Sequence, residues 1–343
     1  MSKENKALTI AAWIVAAAVL GFVFKTAEPV LFPLFLALFI YFILAPVQDF
    51  LMRIKLSRTL SLILVILFAF VILYLMALLF YTSGKALASD LPDYGNKLKE
   101  LIEGWSKTIE LPGGGEFDPM AWAKTLDIGK VGTFLLNSIG TFVSILSTIF
   151  LVLIFLFFMI AGRHKLDGKI RRFSTNPRKS GQIVEMAASI DRQIQKYLAL
   201  KTVISLASGL ISMLIIMAFG VRYAILWGFI TFVLNYIPNI GSFISKVLPF
   251  AFALLQFGRF WPAFWMLAIL FVTDAVIGSI IEPRLMGTGL DLSPLAILIA
   301  LFFWGWMWGV PGMILSVPVI VVMKIISSNI PSMRWFEALL SNK

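Results

Sequence analysis

Asp274 and Lys246 are the two charged side chains least expected where they stand in this chain. Asp274 falls near the middle of the apolar run Trp261–Ile281, beside Thr273 and the small residues Ala275, Gly278 and Ser279. At the centre of a lipid bilayer a carboxylate costs about 3 kcal/mol or more, so it must face protein or water. That makes it a candidate ligand for a proton, a cation or a polar solute. The plain alternative is a carboxylic acid hydrogen-bonded to a broken helix end. Lys246 lies in a neighbouring apolar tract and could pair with Asp274, which would keep both groups charged. Glu282-Pro283-Arg284 then closes the Asp274 run. This charged pair suits either the gating of a pathway or, more commonly, anchorage at the membrane interface.

These groups must be positioned by helices, and two of the helical tracts are broken. Tyr223–Phe257 is interrupted at Ile237-Pro238-Asn239-Ile240-Gly241, and Leu292–Ile326 at Gly309-Val310-Pro311-Gly312. Proline removes an amide donor and glycine weakens a helix, so each site should break or sharply bend its tract. Asn235 and Asn239 bracket the Pro238 break, where freed backbone groups need partners. They either line a solute path or satisfy that backbone. Discontinuous helices in two separate tracts are the best sequence pointer to a transporter's binding region. Asn235–Gly241 and Gly309–Gly312 are therefore the expected lining.

Composition fixes the setting. Of 343 residues 60% are hydrophobic and only 14% charged, where globular chains are nearer half apolar and a quarter charged. The expected fold class is an all-α polytopic membrane bundle. The net charge of +11 sits in loops beside apolar spans, so anionic lipid headgroups are the expected partner rather than nucleic acid. With no cysteine, the chain has no disulfide, no thiolate metal site and no cysteine nucleophile.

Residues 1–83 hold three apolar spans, about Leu8–Phe24, Val30–Val47 and Leu60–Tyr81. The first resembles a signal peptide at its start, but its apolar run continues to Phe24 and a second span follows closely, which favours a retained helix. Residues 84–135 form a hydrophilic insert with six Lys and eight acidic residues. A fourth span occupies 136–161. The loop 162–201 has ten Lys or Arg and three acidic residues. The bias of basic residues toward the cytoplasm places the insert outside and this loop inside. Residues 202–326 form a membrane core, and 327–343 a cytoplasmic tail. Six full spans and two tracts that return to their starting side leave both termini cytoplasmic. Two short crossings per tract give the same parity.

Within the insert, Leu87, Leu91, Tyr94, Leu98, Trp105 and Ile109 recur at helical spacing, with Asp90 and Pro92 placed to start a helix. The Pro112-Gly113-Gly114-Gly115 turn ends it, and Asp118-Pro119 opens a second helix. In the basic loop, Ser180 could cap a helix bearing Ile183, Ala187, Ile190, Ile194 and Tyr197, with Arg192 and Lys196 on its polar side. The simplest expectation is an amphipathic helix lying at headgroup level. Small residues line one side of the fifth span (Ser205, Ser208, Gly209, Ser212) and of the fourth (Ser138, Thr141, Ser144, Thr148). Such faces allow close helix approach, within the chain or between copies in a homo-oligomer.

The stretches Leu234-Asn235-Tyr236-Ile237-Pro238-Asn239-Ile240-Gly241 and Ile281-Glu282-Pro283-Arg284-Leu285-Met286-Gly287 resemble the AI-2E family of permeases. So do Leu290-Asp291-Leu292-Ser293-Pro294-Leu295, Trp304-Gly305, Gly309-Val310-Pro311-Gly312 and Val317-Pro318. In that family the Gly309 motif commonly reads Gly-Ile-Leu-Gly, so Pro311 is a local variation that should stiffen the turn. The order of spans and insert agrees as well. The resemblance implies a multi-pass protein of the bacterial inner membrane that moves small solutes. Some members are described as exporters of autoinducer-2, others as sodium/proton antiporters.

Other chemistry is scarce. No Gly-x-x-x-x-Gly-Lys-Ser/Thr loop is present, so the chain should not hydrolyse ATP. The sole histidine, His164, stands in the basic loop beside Arg163 and Lys165 and reads as a surface residue. Gly-x-Ser-x-Gly and His-Glu-x-x-His are both missing, which argues against common membrane hydrolases. No cofactor, metal or catalytic residue is expected. The reading is a secondary transporter that alternately exposes a polar cleft between the broken tracts, exporting a small polar molecule. A cation/proton antiporter is the alternative, and a non-transporting envelope scaffold built on the external insert is a third.

Overall fold

The structure, a computed structural model, describes residues 12, 15, 16, 19, 21–108, 142–163, 177–237, 240–286 and 292–342. The expected first span, the Pro112–Gly115 turn, the second insert helix, and Pro238 and Asn239 themselves lie wholly or mostly outside those residues. So does the loop containing His164.

The described chain is helical throughout, an all-α polytopic bundle. Its helices are α1 (Glu28–Arg53), α2 (Arg58–Thr108), α3 (Phe142–Gly162), α4 (Pro177–Ala218), α5 (Ala224–Leu234), α6 (Ile240–Phe257), α7 (Phe260–Val276), α8 (Glu282–Met286), α9 (Pro294–Asn329) and α10 (Arg334–Leu340). Among the described residues, seven helical stretches are long and apolar enough to cross a membrane. Their outward side chains are apolar: Phe150 and Phe158 on α3, Leu214 on α4 and Phe302 on α9 are all exposed. In water that surface would be prohibitive, whereas lipid solvates it.

Two helices run further than their sequence signals suggest. Pro92 was expected to start a new helix, yet α2 passes through it without interruption for 51 residues. At 1.5 Å per residue α2 is about 76 Å long, more than twice a hydrocarbon core. Packing overrides the proline. Leu87 and Tyr94, on either side of it, are buried in one core, and the Tyr94 ring lies 4.6 Å from that of Phe252. The basic-loop helix is likewise no separate element lying at the headgroups. It starts at Pro177 rather than at a Ser180 cap and continues into the fifth span as α4, 42 residues long. Ile194, Tyr197 and Leu198 pack against Val317, Val321 and Ile325 of α9, so their apolar face is covered by protein instead of lipid. Arg192 and Lys196 do face outward, as the pattern implies.

The chain divides into two compact units. The first comprises residues 1–70, 148–202 and 286–343. Its second core surrounds the α9 break, where Trp304 and Trp308 have ring centroids 4.8 Å apart and Phe35 of α1 lies 5.3 Å from Trp308. The second unit comprises residues 71–147 and 203–285. Its core joins Trp227 of α5, Phe252 and Ala253 of α6, and Ala263, Met266 and Leu270 of α7.

Within the second unit the small-residue face of α4 is used for intrachain packing. Ser205, Ser208 and Ser212 are buried, and a Cβ on Gly209 would stand 2.7 Å from the Gly228 carbonyl oxygen of α5. A Cβ on Gly228 would meet the Met213 Cβ at 2.6 Å. Backbones this close tolerate no added methyl. Gly209→Ala and Gly228→Ala should each destabilise the protein by about 1–3 kcal/mol through overpacking. Thermal unfolding in detergent should show a lowered midpoint for both, with Gly181→Ala, where a Cβ meets open space, as the neutral control.

Candidate functional site

The α5–α6 break is built by a glycine. α5 ends at Leu234, and its carbonyl accepts from the Ile237 amide at 2.8 Å. The Gly241 amide then donates to the Ile237 carbonyl at 3.1 Å, starting α6. A Cβ at Gly241 would collide with the Leu234 carbonyl oxygen, so the returning chain can approach only here. At 11 residues, α5 rises about 16 Å, roughly half a hydrocarbon core. It cannot cross a membrane unaided.

The second break repeats this construction in the other unit. α9 contains two helical halves joined at Trp308 (φ −130°, ψ 19°) and Gly309 (φ 63°, ψ −147°). Only glycine adopts the latter conformation without strain. A Cβ at Gly312 would strike the Trp304 carbonyl oxygen, as Gly241 would strike Leu234. Four residues after each of these glycines stands a buried serine, Ser245 and Ser316. Each donates its hydroxyl to a carbonyl three residues back, Ser242 at 2.9 Å and Met313 at 2.6 Å. Gly309 and Pro311 are exposed, and Gly312 is buried.

α6 carries Lys246 toward α7 on its buried face, together with Gly241, Ser245, Pro249, Phe252 and Ala253. The Lys246 ammonium donates to Asp274 Oδ1 at 2.7 Å and to Ser245 Oγ at 3.2 Å. Its side chain is 2% exposed and that of Asp274 21%. One partner is thus sealed in protein while the other keeps an open edge. Asp274 stands midway along the apolar stretch Phe260–Met286. Immediately after α7 the helix widens into a π turn over Ile277–Ile281. Such turns are uncommon and concentrate at functional sites, because they free backbone groups from the regular ladder.

The other expected site residues have settings of their own. Asn235 is buried and donates its side-chain amide to Ser205 Oγ of α4 at 3.0 Å, which ties α5 to α4. Glu282 and Arg284 lie on the short α8, Arg284 exposed and Glu282 partly buried. Gly309, Pro311 and Gly312 belong to the first unit, whereas Lys246, Asp274, Asn235 and Gly241 belong to the second.

The family model described as AI-2E family transporter matches residues 8–332. The chain belongs to that family. Among relatives, the AI-2 transport protein TqsA of Escherichia coli is 34% identical over 323 residues, covering 93% of this chain and 91% of that protein. A protein of Borreliella burgdorferi named only for transport is 28% identical over 325 residues, 92% of this chain and 86% of its own. YhhT of Escherichia coli, likewise named only for transport, is 29% identical over 299 residues, 87% of this chain and 84% of its own. An AI-2E transporter with these long apolar helices is a multi-pass membrane protein.

Two polar clusters in this AI-2E transporter escaped the sequence reading. In the first unit Arg163, just past the end of α3, bridges α1 and α4: Nη1 donates to both Asp49 oxygens at 3.0 and 3.1 Å, and Nη2 donates to Asp191 Oδ2 at 3.2 Å. Gln195 donates to the same Asp191 oxygen at 2.8 Å. In the second unit the Tyr223 hydroxyl donates to Asp90 Oδ2 at 2.6 Å. Local spacing links only Gln195 to Asp191; the Arg163 and Tyr223 bonds to their carboxylates span 28 to 133 residues.

Proposed function

We propose that this AI-2E transporter is a secondary transporter that exports a small polar molecule of the autoinducer-2 kind, with the Lys246–Asp274 pair at its coupling site. The observation that carries the reading is the pair itself: a sealed ammonium and a partly open carboxylate, midway along an apolar helix and beside a π turn. Asp274 can exchange its partner. A proton or cation arriving at the open edge competes with Lys246 for the carboxylate, and the released ammonium must find another acceptor. That exchange would bias the glycine-built break at the start of α6, because Lys246 lies on the same helix as Gly241. The relationship to TqsA supports the solute class.

The same pair favours a second reading, a Na+/H+ antiporter, in which the competing cation is itself the cargo. Proteoliposomes separate the two. Solute efflux driven by a proton or sodium gradient supports export, and cation-dependent proton flux without an organic solute supports antiport. If neither flux exceeds that of empty vesicles, transport through this site is wrong.

In this reading the chain lies in the bacterial inner membrane with both termini cytoplasmic and residues 84–135 outside, as loop charge directs. A scaffold role for the insert is testable only with care. Leu87 and Tyr94 belong to the core of the second unit, so deleting all of 84–135 would uncover Phe252 and damage the fold. Deleting 109–135 alone is the informative variant.

A further inference from the structure

The first unit contains a cavity of about 190 Å³ that has no part in the breaks or the Lys246–Asp274 pair. Its walls include Gln193, Lys196 and Tyr197 of α4, Lys324 and Ser328 of α9, and Glu337 of α10. Small-molecule sites usually begin near 300 Å³. This space suits one compact charged group rather than a whole drug-sized solute.

Its chemistry is cationic with a single opposing charge. Lys324 is buried and already engaged within the protein, so a ligand there would share its ammonium with that partner. Lys196 is exposed, on the rim where an arriving ligand would meet it. Two ammonium groups against the Glu337 carboxylate leave one net positive charge on the lining. The Gln193 amide and Tyr197 hydroxyl supply neutral polar groups beside it.

The wall bearing Glu337 is a built element, although residues 327–343 read from sequence as a tail. α10 is held back against the start of α9. The Ser293 amide donates to the Leu340 carbonyl at 2.8 Å, and Leu292 and Ser341 form an isolated antiparallel bridge. Three of the helices that line the pocket carry its charges, α4 and α9 each a lysine and α10 a carboxylate.

We propose that this cavity binds the phosphate group of an anionic ligand between Lys196 and Lys324, with the Glu337 carboxylate as an internal competitor. Phosphate is compact, carries several acceptor oxygens, and can take bonds from both ammonium groups at once. Two sources offer this chemistry: the headgroup of an anionic phospholipid, and a soluble phosphate or phosphate ester. Loop charge puts the pocket at the cytoplasmic membrane surface, where both occur.

The test measures binding rather than flux, so it stands apart from the transport reading. The full chain is placed in phosphatidylcholine nanodiscs and titrated with inorganic phosphate by calorimetry. In parallel, retention of phosphatidylglycerol is measured by native mass spectrometry after mixed-lipid reconstitution. Lys196→Gln should weaken whichever ligand binds by about fivefold, and Glu337→Gln should tighten it by a similar factor, the scale of a partly exposed ion pair. Response of the inorganic phosphate titration assigns a soluble source, and response of phosphatidylglycerol retention assigns a lipid. Lys196 is exposed, so loss of binding in Lys196→Gln cannot be ascribed to misfolding if its melting temperature is unchanged. No saturable phosphate binding and no phosphatidylglycerol retention, or binding indifferent to both substitutions, overturns the proposal.

Discussion

Asp274→Asn should reduce gradient-driven flux in proteoliposomes by about a hundredfold or more. Removing one partner of a desolvated charge pair costs about 2–5 kcal/mol, and each 1.4 kcal/mol is a factor of ten. The variant keeps the shape of the side chain and can still accept a bond from Lys246, but it can no longer exchange a proton or a cation. The residual flux should accordingly lose its pH dependence. Lys246→Met should be worse for folding, because it leaves the Asp274 carboxylate without its ammonium in an apolar surround. The double variant Lys246→Met with Asp274→Leu should recover stability without recovering flux. If Asp274→Asn transports at the native rate with the native pH profile, the pair is structural and the coupling role fails.

Gly241→Ala and Gly312→Ala should be the most damaging single-methyl changes in the membrane core. In both, the new Cβ is driven into a backbone carbonyl oxygen, Leu234 or Trp304, which cannot swing away as a side chain could. Overpacking of this kind costs at least 1–3 kcal/mol. Because the collision lies at a helix break, the chain must open the turn to relieve it. Both variants should lose flux and show a lowered unfolding midpoint. Gly278→Ala, where the added methyl meets open space, should leave the midpoint unchanged. An unchanged midpoint in Gly241→Ala would mean that the turn is wider than described.

These two sites differ in how plainly the sequence announces them. The breaks were legible because proline and glycine act through their own backbone chemistry, whatever surrounds them. Asp274 was legible because a carboxylate in an apolar run is conspicuous. Its pairing with Lys246 was an open possibility, since 28 residues and a helix turn separate them and no local rule sets the distance. The small-residue face of α4 showed itself by spacing, and the structure spends it on α5, at Gly209 and Gly228. On the matching face of α3, Ser144 is exposed and Thr148 half-buried.

What stayed hidden was decided by packing at long range. Pro92 has the local signature of a helix start, yet burial of Leu87 and Tyr94 in the core with Phe252 carries α2 through it. Ile194 and Leu198 have the spacing of a surface-seeking helix, and periodicity alone does not say whether lipid or α9 covers an apolar stripe. The Arg163 cluster and the α10 clasp depend on residues distant in sequence, and the π turn after Asp274 leaves no compositional mark. The basic character of Arg163 was visible; its two carboxylate partners on separate helices were not.

The natural chain contains no cysteine, which makes single-cysteine labelling unusually clean. Gly278→Cys places a thiol one helical turn beyond Asp274, at an exposed position with room for a side chain. The most direct measurement is its reaction with a membrane-impermeant maleimide in right-side-out and inside-out vesicles, with and without an imposed gradient. A water-filled route past Asp274 predicts labelling from one side at rest and a shift toward the other side under the gradient. A thiol that reacts from neither side in any condition, while a lipid-soluble maleimide modifies it readily, would place that face in lipid and contradict the account.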